Sequence, residues 1–287
     1  MGPFEYFEPR TVGEATKLLF IHGEKAKIMA GGIDLIPRLR KGEIKAGYVV
    51  NIQNIPGLEH IEPNQKGEIT FGAMARLRSI EGSETIQNKY PILYEAIHQI
   101  TSVQTKYMGT AVGNLCVATP ASDIATSLFA LGARLKISGV KDERAEPIEK
   151  FYVDYHLTSL KQGEMVTGVL LPNPPPGTGT AFLNLVRTHA DIAKISVAAA
   201  IVVQNGICRE ARLAIGAAAP TVLRAVNAEA FLMGQKVTPE VIHKAAEIAA
   251  GETKPITDIR STAGYRREMA KVLVKRAVEK AVETVKA

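Results

Sequence analysis

The chain carries only two cysteines in 287 residues, Cys116 and Cys208. That is too few for a disulfide framework, a cysteine-based structural zinc site or an iron–sulfur cluster, which takes about four thiolates. Long apolar runs are missing as well. The longest, Ile195 to Val203, falls far short of the roughly 20 residues that cross a membrane. The N-terminus, MGPFEYFEPR, has no basic-then-apolar leader and lacks the Ser or Thr of a myristoylation site, so a cytoplasmic location is expected. The histidines His22, His60, His98, His156, His189 and His243 stand at no metal-ligand spacing from one another. No Ser, His and Asp grouping can be assembled from their order, and no internal repeat is visible. The three-glycine dinucleotide fingerprint is absent, and so is a phosphate-loop Lys-Ser/Thr pair.

Charge is not scarce, but it is uninformative about nucleic acid. The formal net charge is +6, yet no basic stripe interleaved with aromatics is present. Much of the excess falls on one segment, Arg266, Arg267, Lys271, Lys275, Arg276 and Lys280, mixed with Glu268, Glu279 and Glu283. A solvated helix face accounts for it, with a docking face for an acidic partner as the alternative.

What the chain does have is a long core-forming content, 46% hydrophobic, and two glycine-bearing loops. In KAKIMAGGIDLIPRLRKGE, Ile28 to Ala30 ends a strand and Gly31-Gly32 makes a sharp turn. Asp34 then caps a short helix begun by Leu35, Ile36 and Leu39. Strand, Gly-Gly and helix start together form a geometry that receives phosphate. The second loop, Gly109-Thr110-Ala111-Val112-Gly113-Asn114, runs through Ala118, Thr119, Pro120 and Ala121 into an apolar run of helical spacing, Ile124, Leu128 and Leu131. Pro120 suits the helix start, Gly132 its exit, and Ser122 and Asp123 fall near the first turn. Small residues let a backbone approach a ligand and point N–H groups at it. A tight turn with an ordinary cap explains either loop equally well when each is taken alone.

Around these loops the pattern predicts an opening strand at Phe4 and Tyr6, then a helix with a Thr11/Glu14 capping box and an apolar face of Ala15, Leu18 and Leu19. A strand at residues 48–52 closes a small β-α-β unit. Strands follow at 58–61 and 69–71, a helix at 91–100, and strands at 134–137 and 164–171, with 151–160 irregular. LPNPPPGTGTA is the best linker. Beyond it, strands at 181–187, 196–204 and 208–215 are expected, the last two joined by an Asn205-Gly206 hairpin. Helices are expected from Pro220 to Leu232, at 239–250 and at 262–284. Three strands and then three helices make a separate α+β unit.

Four motifs in register now carry a resemblance over essentially the whole chain from Phe4 onward. AGGIDLIPRLRKG resembles the first flavin loop, AGGTDLL, of the FAD-binding medium subunits of molybdenum hydroxylases, the group of xanthine dehydrogenase, carbon monoxide dehydrogenase and 4-hydroxybenzoyl-CoA reductase. GTAVGNLCVATPASDIATSLFALGA resembles their second loop, TIGGN, with its following segment. RTHADIAKISVAAAI resembles RRxxDIAxVSVA, and RLAIGAAAPTVLRA the strand and helix after it. The resemblance implies an α+β fold: a p-cresol-methylhydroxylase-type FAD-binding domain of two subdomains, 1–57 and 58–176, then an α+β C-terminal domain of three strands and three helices, 177–287.

By the same resemblance, Met29, Ala30, Gly31, Gly32, Ile33, Asp34 and Leu35 would wrap the FAD pyrophosphate. Thr110, Gly113 and Asn114 would hold pyrophosphate and flavin-side groups, and Asp123 the sugar hydroxyls. Val166 would offer a backbone contact to the flavin edge, Ile100 an apolar contact, and Lys194 would lie near the flavin end. Departures are Val112 for the first glycine of TIGGN, Ile33 for a polar residue, Asn184 for a lysine and Thr188 for the second arginine. FAD is expected to be non-covalent, because no histidine or cysteine is suitably placed as a tether; neither loop holds a histidine, and Cys116 is the only near candidate. The implied role is electron transfer within a molybdenum hydroxylase. The molybdenum cofactor and [2Fe-2S] clusters would reside on a large and a small partner subunit, in a dimer of heterotrimers. The alternatives are a self-contained FAD oxidase of the same fold group and a non-catalytic nucleotide-binding assembly protein.

Overall fold

A computed structural model describes residues 2–285. Three larger sheets and one two-stranded hairpin are formed by the described residues. The first is parallel, with Tyr48–Asn51 between Glu5–Phe7 and Ala26–Met29. Its crossovers are the helix Val12–His22 and the helix Leu35–Lys41. Thr11 caps the former through Glu14 N–H, and the Glu14 carboxylate accepts from Arg10 N–H at 2.7 Å, one residue beyond the Thr11 N–H of the expected box.

The second sheet is antiparallel, in the order Ile61–Pro63, Ile69–Gly72, Met165–Leu171, Arg134–Ser138 and Glu143–Pro147. The strand expected at 58–61 starts later, because Leu58 spends its carbonyl on Met74 N–H. Short helices lie between its strands, among them Pro91–His98, Val103–Met108, Ala111–Cys116 and Asp123–Ala130. Residues 151–160, expected to be irregular, contain a small hairpin of Tyr152–Asp154 and Leu157–Thr158.

The third sheet pairs Thr178–Leu185, Ile195–Gln204, Ile207–Gly216 and Leu223–Arg224. It therefore has four strands, not three. The segment expected to be helical from Pro220 first extends to pair with Ala214 and Ile215, and its helix begins only at Val226. Helices Pro239–Glu252 and Ala263–Glu283 complete this domain. No helix among the described residues is long and apolar enough to cross a membrane.

The longest apolar run of the sequence is the strand Ile195–Gln204. Side chains alternate across a strand. Val197, Ala199 and Ile201 pack in the core under the C-terminal helices. Ala198, with Phe182 and Ala214, packs instead into the core of the preceding domain, beside the helix Asp123–Ala130. Both faces are buried, so the strand reads as continuous rather than alternating hydrophobicity. The second loop and the C-terminal domain are brought together by this sandwich.

Candidate functional site

Between the first two sheets lies a cleft of about 880 Å³, large for a small-molecule site. Both glycine loops line it. The first contributes Ala30, Gly31, Gly32, Ile33, Asp34 and Leu35. Gly32 sits at φ +73°, where a side chain is strained. A Cβ on Gly31 would meet the Met108 carbonyl oxygen at 1.9 Å. That glycine is needed for the contact of one loop with the approach to the other. Among the described residues, the N–H groups of Gly31, Gly32, Ile33 and Asp34 make no hydrogen bond. Asp34 is not a side-chain cap: its backbone is already helical (φ −95°, ψ −48°), whereas capping needs an extended residue. Its carboxylate pairs instead with Arg38 at 3.4 Å.

The second loop is more helical than its sequence suggests. Thr110 is an extended N-cap whose hydroxyl accepts from Gly113 N–H at 3.0 Å, opening the helix Ala111–Cys116. Thr110, Val112, Gly113, Asn114, Cys116, Val117 and Thr119 face the cleft. Cys116, whose residue type favours a buried small hydrophobe, is instead exposed on that wall. Pro120 lies in the connector. The next helix starts at Asp123, with Ser122 as its cap. The Ser122 hydroxyl also donates a short hydrogen bond to Asn114 Oδ1. Val166 lines the cleft from the central strand of the second sheet.

Met29, Ile100, Asp123 and Lys194 do not line it. Met29 lies beneath the loop, its thioether within 3.8 Å of a Cβ placed on Gly32. Ile100 is partly buried against the core. Asp123 accepts from Asn184 Nδ2 at 3.0 Å, while its Oδ1 is sealed from solvent and has no partner among the described residues. Burial lifts this carboxyl to about 6, against the opposing hydrogen bonds of Asn184 and Ser196. Lys194 places its ammonium 5.9 Å from the centre of the Tyr265 ring.

The remaining wall was not legible from spacing. His156, Leu160, Lys161, Gln162, Gly163 and Glu164 come from the hairpin at 152–158 and the segment that leads from it into the strand Met165–Leu171. Gln162 ties them to the first helix by donating to Phe20 O at 2.7 Å. Behind the second loop, the buried Glu81 accepts from Lys106 at 2.7 Å, Arg78 at 2.9 Å and His98 at 3.0 Å. Burial pushes that carboxyl up, but these donors outweigh it and hold it below the usual range. They anchor the helix that leads into Gly109.

A family profile described as the FAD binding domain in molybdopterin dehydrogenase matches residues 2–174, and one described as the CO dehydrogenase flavoprotein C-terminal domain matches 180–281. The chain is 31% identical to the carbon monoxide dehydrogenase medium chain of Afipia carboxidovorans, over 98% of this chain and 97% of that one. It is 32% identical to the 6-hydroxypseudooxynicotine dehydrogenase complex subunit alpha of Paenarthrobacter nicotinovorans, over 97% and 94%. Its structure is similar to that of a chain of the carbon monoxide dehydrogenase from Hydrogenophaga pseudoflava that lacks the Mo-pyranopterin moiety of its cofactor, with a TM-score of 0.96 at 31% identity over 99% of each chain. With both profiles matched in order over nearly the whole chain, the chain belongs to the family of FAD-binding medium subunits of the molybdenum-containing dehydrogenases.

Proposed function

We propose that this chain holds FAD non-covalently in the cleft and relays electrons between an iron–sulfur subunit and a terminal acceptor. The observation that carries the proposal is the row of uncommitted N–H groups from Gly31 to Asp34 in a cleft also lined by Thr110, Gly113 and Asn114. Successive free N–H groups suit a diphosphate. Arg38 and Lys27, also on the wall, add cationic charge. Met29 to Leu35 would hold the pyrophosphate, with Met29 acting from beneath the loop. Thr110, Gly113 and Asn114 would hold pyrophosphate and flavin-side groups, and Val166 would present backbone to the flavin edge. Asp123, with its partnerless oxygen, would serve the sugar hydroxyls once a cofactor opens the wall. Ile100 and Lys194 would support the flavin end from a distance. When bound, FAD supplies the exchange of single electrons with a cluster and of a pair with an acceptor.

With two cysteines the chain has no iron–sulfur cluster of its own to offer. We therefore place its activity in a cytoplasmic complex with a small iron–sulfur subunit and a large molybdopterin subunit, doubled into a dimer of heterotrimers in keeping with the general preference for two-fold symmetry. We divide it at residues 57 and 176, with the flavin between the first two parts.

The test has two stages. The isolated chain, supplied with FAD, is expected to be yellow, to release its flavin on acid precipitation, and to reduce dyes slowly while leaving organic substrates untouched. Co-expression with its genomic neighbours is expected to add iron–sulfur absorbance that substrate bleaches. Turnover of an organic substrate with oxygen by the isolated chain would replace this reading with a self-contained oxidase, and a chain that stays colourless with FAD would make it an assembly protein. Flavin retained in the acid pellet would overturn non-covalent binding. His156, the histidine that the fold brings to the cleft, would then be the first residue to examine.

A further inference from the structure

The connector between the helices Ala111–Cys116 and Asp123–Ala130 forms part of the cleft wall through Val117 and Thr119. Its backbone is unusual. Ala118 sits at φ +49° without being glycine, a strained conformation that persists only where the surroundings hold it. Three of its carbonyl groups are taken by distant elements. His156 Nδ1 bonds Val117 O at 2.5 Å, and His156 N–H donates to Ala118 O at 2.9 Å. Ala217 N–H donates to Pro120 O at 2.7 Å. A carbonyl can only accept, so Nδ1 carries the proton of the His156 ring. His156 is itself left-handed, at φ +57°, at the turn of the hairpin Tyr152–Asp154 and Leu157–Thr158. Tyr155 leans on its ring at 4.0 Å between centroids.

We propose that His156 is a positioning residue for the flavin nucleotide: by grasping two successive carbonyls of the strained connector, it fixes the cleft wall that carries Val117 and Thr119. The proposal rests on the cleft being the FAD site. One residue, through backbone and ring together, closes both grips, so that both carbonyls are satisfied and the connector is held at two successive points. The ring acts on the connector and not on the cofactor. What it supplies is an N–H donor at the Nδ1 position on a residue that tolerates the left-handed region. Asparagine also supplies both, since it accepts that backbone and carries a side-chain N–H. Glycine accepts the backbone at no cost but has no donor.

The experiment compares the full-length wild-type chain with His156→Gly and His156→Asn, each stripped of flavin and titrated with FAD by quenching of flavin fluorescence. Thermal unfolding and backbone hydrogen exchange over residues 115–122 are recorded on the same samples. His156→Gly is expected to weaken FAD binding at least tenfold and to speed exchange in the connector, while its unfolding temperature stays near the wild type. His156→Asn is expected to return both affinity and exchange to within threefold of the wild type. Wild-type affinity in the glycine variant would overturn the proposal. So would an asparagine variant as weak as the glycine one, which would show the imidazole acting on the cofactor directly. Failure of the wild type to bind FAD would instead overturn the functional reading of the cleft.

Discussion

Asp123 shows how a single side chain is set by what surrounds it. It opens a helix, where a carboxylate is favoured by the N-terminal dipole, yet its Oδ1 is sealed without a partner among the described residues and its Oδ2 accepts from the amide of Asn184. Burial raises its pKa from 3.8 to about 6. The folded chain therefore holds this proton more tightly than the unfolded chain. Its contribution to stability is complete below about pH 4 and is lost as pH rises through about 6. Asp123→Asn is expected to leave stability unchanged near pH 4 and to raise it by about 3 kcal/mol at pH 7.5, since a tenfold difference in proton affinity is worth about 1.4 kcal/mol. Denaturant unfolding of the flavin-free variant and wild type at both pH values checks this. A gain of equal size at pH 4 would show that the ionised carboxylate is not its source.

At the scale of elements, the two glycine loops work as one piece. The helix Val103–Met108 ends against the first loop, so that Gly31 lies under the Met108 carbonyl, which also accepts from the Arg76 guanidinium. A methyl group at Gly31 would lie inside that oxygen's contact radius, and backbone must shift to admit it. Overpacking of this kind costs about 1–3 kcal/mol. Gly31→Ala is expected to cut FAD affinity at least tenfold while far-ultraviolet circular dichroism stays as in the wild type. Gly32→Ala tests the other cause. Its Cβ meets only side chains, Ile36 at 3.3 Å and Met29 at 3.8 Å, but its φ is positive. It should lose about 1 kcal/mol of stability through backbone strain alone. Equal flavin affinity in Gly31→Ala and the wild type would show that the contact between loops does not shape the cleft.

Over the whole molecule, the C-terminal domain is clamped to the FAD-binding part by charge as well as by the shared apolar face. Glu149, in the short helix Ile148–Phe151, accepts from Arg212 and, at 2.8 Å, from Arg224, both on the C-terminal sheet. Arg212 also donates to Phe129 O at 2.9 Å, at the end of the helix Asp123–Ala130. Burial first, and then the neighbouring Arg224 charge, lower the Arg212 pKa, so Glu149 offsets a repulsion between two cations. Glu149→Gln is expected to cost about 1–3 kcal/mol, since the pairs are only half-buried. Calorimetry should show a lower Tm, with the two parts unfolding in less coincident steps. An unchanged Tm would assign the interface to apolar packing alone.

Local chemistry made part of this protein legible without coordinates. The Gly-Gly turn, the Thr11 cap, the Asn205-Gly206 hairpin and the existence of a strand at 196–204 are set by conformational limits and side-chain periods within a few residues. The four motifs in register led to the family by resemblance, not by conformational limits, and the two loops among them line the cleft. What the sequence did not disclose is long-range. Asp34 reads as a cap, but the loop enters its helix too early for capping. Leu223 and Arg224 read as helix until pairing with Ala214 and Ile215 extends them. His156 stands 39 residues from Val117 and Gln162 stands 142 from Phe20. Only the closing of one sheet against another makes them walls of the same cleft. Spacing along the chain carries no record of such contacts, because they depend on where whole elements come to rest.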